Sequence, residues 1–384
     1  MKRLIGICFL SAIAVVISLT VAGDGETVAA EKKAKPVLEN IQSGSVEFKR
    51  IGRMSFGPDG VLLVADVGSA SVVAIQTGDS GPMKKLSKKV EDVDKKLAAL
   101  LGVTAEDVQL VDMAVNKKSG TIYMSLHRKS DGVGAIATVN GNGELALLSL
   151  KKASYVRVPL PVKEGTVIRN ITGVEFTNGR VLAAGQCNEE FASKIYSLPL
   201  PLTHGKSAAI YSTETYHVAH GRWETRAPIQ SFVPYVEDGK NFIVGSFSCT
   251  PIAKFPIDDI DSGAQIKGTS VVELGSGNRP VDMFTYEKDG KQWLVTNTDR
   301  FHHSRRPLGP SQYWGVRVDM SYLGAKDINE DAARRDVSKQ AGPDGIEVVE
   351  SLFFAKHVAK LSNKEMVVLR DDEGTLDLEI APLP

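Results

Sequence analysis

Two sets of side chains in this sequence could do chemistry. The first is carboxylates repeated at like places in apolar runs. Val111-Asp112-Met113 and Val281-Asp282-Met283 are the same tripeptide in two such runs. Arg53 and Gln230 hold comparable places in two others, and Arg279 stands close to Asp282. Two carboxylates facing one space could hold a divalent metal through hard oxygen ligands. They could equally pair with Arg53 and Arg279 as a structural ion network, which is the preferred reading.

The second set is in two polar loops. The loop from Asn297 to Gln312 carries Asn297, Asp299, His302, His303, Arg305 and Arg306. Neighbouring histidines in an extended chain point to opposite sides, so His302 and His303 would not both ligate one metal. With the arginines they could bind an anionic group by charge-assisted hydrogen bonds, or form a solvated charged loop. The loop from Thr215 to Arg226 holds His217, His220 and Arg222. At i and i+3, the two histidines could share a metal if the segment is locally helical. The plainer reading of each histidine is a surface or supporting hydrogen bonder.

The elements that must carry these groups are short strands. The run Val281 to Tyr286, the turn Lys288 to Gly290, the run Gln292 to Thr296 and the run Tyr313 to Val318 read as an antiparallel meander. The same form recurs from Arg53, Val108, Ile171, Pro228 and Lys356. Such units, about fifty-five residues apart, match the spacing of four-stranded propeller blades. The expected fold is therefore an all-β, six-bladed β-propeller with short helical insertions. Seven blades or a β-sandwich are the alternatives. Val93, Leu97, Leu100 and Leu101, stopped by Gly102, predict one inserted surface helix, and Asn329 to Lys339 predict another. The last unit offers three strands, so Ser45 to Arg50 is expected to complete it and close the ring.

On this plan the loops after the second strands open on the face where the innermost strands begin. The 297–312 loop and residues 217–226 are then expected to line one pocket with Asp112 and Asp282. Cys187 and Cys249 fall in equivalent loops of adjacent units and predict a disulfide. Two free thiols, or soft ligands for copper beside a histidine, are the alternatives.

Composition sets the outer bounds. The chain has 384 residues, 42% of them hydrophobic, with 46 basic and 46 acidic side chains. That balance gives no support for a nucleic-acid partner. Met1-Lys2-Arg3 followed by the apolar run Leu4 to Ala22 reads as a signal peptide over residues 1–23, with a membrane anchor as the alternative. A flexible lead-in over 24–44 and a propeller over 45–384 would follow. The expected product is exported to the periplasm or outside the cell, free of the membrane after cleavage, and monomeric. No G-x-S-x-G, H-E-x-x-H, Walker loop or C-x-x-C-H occurs.

The first unit, G-R-M-S-F-G-P-D-G-V-L-L-V-A-D-V-G-S-A-S-V-V-A-I from Gly52 to Ile75, resembles repeats of the NHL and gluconolactonase-like six-bladed propellers. The resemblance covers under a tenth of the chain. It implies the propeller fold and a central channel that holds a divalent metal in the enzymes of that group, while other members are interaction scaffolds. No ligand set is carried over to this chain. Two functions therefore stand open. One is a propeller binding a small molecule or protein partner on its loop-rich face. The other is an enzyme, lactonase-like or an oxidoreductase, with a metal or redox cofactor at the channel mouth.

Overall fold

Runs such as V-L-L-V-A-D at Val61–Asp66 are apolar without alternation, and each of those residues is buried. A strand of that kind must be covered on both faces. The computed structural model describes residues 36–384 except 208–210, 220–221, 249, 259, 262, 275–276, 308 and 325–345. In it four small antiparallel sheets and one nine-stranded sheet, whose two halves join where Tyr211–Ala219 pairs parallel with Gln265–Val272, are arranged as in a β-propeller. Among the described residues no helix is long and apolar enough to cross a membrane.

The first strand of each meander lies innermost: β1 (Ile51–Phe56), β2 (Val108–Val115), β3 (Ile168–Thr177), β4 (Ser231–Glu237), β5 (Asn278–Lys288) and β6 (Ala355–Lys360). These strands neighbour one another in a closed circuit. β2 lies beside β1, β1 beside β3, then β4, β5 and β6 follow, and β6 returns to β2. An apolar cluster fills each junction. Leu62 and Val73 of the first sheet meet Tyr123 and Ile136 of the second. On the other side, Leu63 and Val72 meet Val181 and Leu198. Leu369 and Leu378 of the last sheet close the circuit on Met124 and Val139. Burying both faces of every sheet in this way is the main stabilisation of the fold.

The circuit does not follow the chain, because β2 precedes β1. The segment Ala153–Pro159 returns after the second sheet and pairs with Ser71–Gln76, the outer strand of the first. The second sheet is thus an excursion made before the first is complete. The exposed edge of S-V-V-A-I-Q needs a partner, and A-S-Y-V-R-V-P supplies it.

That pairing, together with buried Asp66, changes the expected closure. Residues 45–50 are not a strand and do not join the last sheet. Asp66, fully buried at the end of its strand, accepts hydrogen bonds from the backbone N–H groups of Lys49 (3.3 Å) and Arg50 (3.1 Å). Arg157 bridges Asp66 and the Glu47 carbonyl, at 2.5 Å each. Val46 and Phe48 are buried in the same region. A buried carboxylate needs these donors, and they hold the segment irregular beside its own sheet. Among the described residues the last sheet keeps three strands, and its outer edge meets a single bridge between Val90 and Leu378.

Within the described residues, the expected lead-in carries two short strands. Leu38–Glu39 runs parallel to Leu202–Thr203, and Gln42–Gly44 adds to the edge of Ala153–Pro159. The helix α1 (Val93–Leu101) forms where its spacing predicts and ends at Gly102, whose φ of 69° suits a residue without Cβ. It is not a purely surface helix, since Val93 and Leu97 are buried between the second and last sheets. The predicted helix over 329–339 lies outside the described residues. The fifth meander has a fourth strand, Ile346–Val348, paired with Tyr313–Asp319.

Candidate functional site

Five of the six inner strands carry a local irregularity that aims side chains at the axis. Pairing slips between Ile51 and Met54 in β1, Leu110 and Asp112 in β2, Ile171 and Gly173 in β3, Pro280 and Met283 in β5, and Ala355 and His357 in β6. A β-bulge bends the strand and re-aims a side chain. Arg53, Asp112, Thr172, Asp282 and His357 stand at these breaks.

Four of them form one knot. Arg53 Nη1 donates to Asp112 Oδ1 at 2.7 Å and to Asp282 Oδ1 at 2.9 Å, and its Nη2 donates to the Val281 carbonyl at 2.7 Å. The Met54 N–H donates to Asp112 Oδ2 at 2.6 Å. Asp282 Oδ2 accepts the Val358 N–H at 2.9 Å and lies 3.0 Å from His357 Nδ1. Asn297 braces the knot from behind: its Oδ1 accepts the Asp282 N–H at 2.9 Å, and its Nδ2 donates to the carbonyls of Ala355 and Lys356.

The electrostatics follow from burial and pairing. Burial opposes the charge on Arg53, but the two carboxylates outweigh it and hold its pKa above the ordinary value. Burial also opposes ionisation of Asp282, but His357, Arg53 and the Val358 N–H hold its carboxyl below the usual range. Asp112 is pushed up by burial, against the pull of Arg53 and with the Asp282 charge adding to it.

Asp112, Asp282 and His357 each offer a ligand atom, all within 4.8 Å of one another. Yet every oxygen of both carboxylates already has a donor within hydrogen-bond distance, and Arg53 occupies the space between them. A divalent ion there would have to displace a guanidinium. The residues present fit an ion network and do not fit a resident metal.

Above this knot lies a cavity of ≈ 680 Å³, running along the inner strands to the turns Gly57–Gly60 and Asn116–Lys118. Glu175, Lys117 and Lys360 line it. Burial pushes the Glu175 carboxyl up to about 8, with Lys117 opposing the shift and Asp112 adding to it. Lys360 Nζ donates to the Thr285 carbonyl at 2.9 Å, and burial and the Lys117 charge lower its pKa.

Of the sequence-predicted residues, the structure brings together Arg53, Asp112, Asp282 and Asn297. Among the described residues, none of those in 217–226 or 297–312 lines the cavity that Arg53, Asp112 and Asp282 line. The strand after β5 runs on to Arg300, so Asn297 and Asp299 are strand residues, and Asp299 accepts from Gln312 Nε2 at 2.7 Å. Arg279 lies over the Phe301 ring at 5.5 Å, and the exposed His302 meets that ring edge-on at 4.4 Å. His303 is half-buried, and Arg305 is exposed. His217 is not on a helical turn. It lies in the strand Tyr211–Ala219, 1% exposed, with its ring 4.0 Å from that of Phe247. The helical turn that an i, i+3 metal pairing requires is therefore not found at His217. His220 lies outside the described residues, and Arg222 is exposed on the paired strand Arg222–Glu224. Cys187 is a buried free thiol, and Cys249, its expected disulfide partner, lies outside the described residues.

Sequence reasoning missed His357, Glu175 and Lys360. The signal for His357 was its place, since A-K-H-V starts the last inner strand as R-P-V-D-M starts the fifth. Glu175 in G-V-E-F and Lys360 in V-A-K-L are isolated charges in apolar strands, a pattern equally common on solvated faces.

No known family profile matches the sequence, and no curated protein matches it. Among solved structures, the chain is similar to the PQQ-bound aldose sugar dehydrogenase of Streptomyces coelicolor, at 12% identity and a TM-score of 0.35, covering 91% of this chain and 100% of that chain. It is similar to a putative oxidoreductase (glucose dehydrogenase) of Thermus thermophilus, at 10% identity and a TM-score of 0.35, covering 89% and 100%. It is also similar to a streptogramin B lyase, at 9% identity and a TM-score of 0.28, covering 89% and 97%.

Proposed function

We propose that this protein is an exported six-bladed β-propeller that binds a small ligand in its central channel. One observation carries the reading. The ≈ 680 Å³ cavity has a rigid charged floor, while Glu175, Lys117 and Lys360 on its walls have no ion-pair partner among the described residues. A concave site with a few convergent polar groups and a shifted carboxyl is a common form of ligand site. The basic start and apolar run of residues 1–22 support export. The NHL-like wording of Gly52–Ile75 supports the blade count.

A second reading rests on Glu175. A carboxyl that titrates near 8 can give or take a proton near neutral pH, which suits general acid–base catalysis. In that case the protein is an enzyme working without a metal at the knot.

The test is a ligand screen by thermal shift and native mass spectrometry on the purified protein, repeated with Lys360→Met and Phe176→Ala. Ligands whose binding weakens in both variants support the channel. Ligand binding that ignores both variants, and weakens instead with substitutions at His302 or Arg305, overturns it. Conversion of the bound ligand, lost in Glu175→Gln, selects the enzymatic reading.

A further inference from the structure

We infer that the channel takes a small organic carboxylate, with its anionic group between Lys117 and Lys360 and an apolar body against Phe56 and Phe176. This rests on the channel being the ligand site.

The first support is an imbalance of charge. Other lysines set into the protein have a carboxylate at hand: Lys194 has Glu189 at 2.7 Å, Lys254 has Glu237 at 2.5 Å, and Lys356 has Asp371 at 2.6 Å. Lys360 is half-buried, yet its hydrogen-bond partner is the neutral Thr285 carbonyl. Lys117 lines the same cavity from the turn after β2. The two ammonium groups feel each other's charge, a repulsion that an anion between them would relieve. The floor cannot relieve it, because Asp112 and Asp282 are committed to Arg53. At the rim, Lys118 takes Asp59 at 3.9 Å.

The second support is the choice of donors. Glu175 lines the cavity and is held protonated near neutral pH, so its O–H can donate to an incoming carboxylate. Hydrogen bonds with one ionised partner are shorter and stronger than neutral ones. Two flexible ammonium donors and one carboxylic acid suit the two oxygens of a single carboxylate. Among the described residues the only guanidinium in the cavity lining is Arg53, and it is already used at the floor.

The third support is the wall. Phe56 and Phe176 line the cavity and are only half-buried, leaving ring surface for an apolar body. Covering it gains roughly 25 cal/mol per Å² removed from water.

The experiment is calorimetric titration of the purified protein with benzoate, its neutral isostere benzamide, and inorganic phosphate. Benzoate is expected to bind at least about tenfold more tightly than benzamide, since a charge-assisted hydrogen bond is worth that or more. Lys117→Met and Lys360→Met should each weaken benzoate about tenfold and leave benzamide unaffected. Benzamide binding as tightly as benzoate, or phosphate binding where benzoate does not, overturns the carboxylate assignment. If either then responds to Phe176→Ala, the channel itself survives. If no probe responds to Phe176→Ala or to the lysine variants, both the carboxylate and the channel are overturned.

Discussion

His357 Nδ1 lies 3.0 Å from Asp282 Oδ2, across 75 residues of sequence and between two inner strands. Arg53 meets the other oxygen of the same carboxylate from a third strand, at 2.9 Å. Asp282 therefore joins three separate strands at the axis.

Arg53 should be the most sensitive position of this knot. Arg53→Met leaves Asp112 and Asp282 buried and facing each other without a counter-ion. Breaking a buried ion network from one side costs about 3–5 kcal/mol. Denaturant unfolding should show that loss, with much of it restored when Asp112→Asn and Asp282→Asn are added. A single variant as stable as the parent would mean that the knot is not the structural centre of the ring.

Glu175 should make stability fall as pH rises. Its carboxyl goes from 4.5 to about 8 on folding, so the folded chain holds this proton more tightly. The contribution is fully present below 4.5 and is lost as pH rises through about 8. Glu175→Gln removes the titration. Its melting temperature relative to the parent should climb between pH 5 and pH 8. A constant difference across that range would contradict the assignment.

His217 should act in the opposite direction. Burial between Phe247 and Phe255 lowers its pKa from 6.5 to about 4, and its Nε2 has no hydrogen-bond partner among the described residues. The unfolded chain takes up the proton first, so stability is full above 6.5 and is lost as pH falls through about 4. The whole effect is on the order of 3 kcal/mol. His217→Leu should flatten the acid limb of a stability–pH curve, and an unchanged limb would show that another group drives it.

Cys187 should be chemically inert in the folded protein. It is buried, burial raises its thiol pKa, and its Sγ contacts are Glu189 Oε2 at 3.7 Å and the Phe191 carbonyl at 3.8 Å. A thiol kept protonated is a poor nucleophile. Peptide mapping after alkylation should find Cys187 unmodified in the native protein and modified after denaturation without reductant. A Cys187 peptide still linked to Cys249 after that denaturation would restore the disulfide.

Much of the local structure was legible in the chain. Turn residues and β-branched runs placed many of the strands between Val108–Val115 and Thr375–Pro382 within a few residues, because turn chemistry acts over four positions, but not Ala153–Pro159, nor the run of Tyr211–Ala219 into the stretch expected to be a loop. Gly102 placed the end of α1. The repeated V-D-M placed two carboxylates at the starts of inner strands. Which edges would meet was not legible. Ser71–Gln76 takes Ala153–Pro159 as its partner, and Ser45–Arg50 stays beside Asp66 rather than closing the last sheet. Nothing in the periodicity of either segment names its partner, since any apolar edge satisfies another's backbone groups. The knot was half legible for the same reason. Asp112 and Asp282 announce themselves as acids in apolar strands. Their shared partner Arg53, the histidine behind them and the shifted carboxyl of Glu175 exist only once the inner strands surround one axis. Burial and proximity create those charges' states, and both are properties of the closed ring.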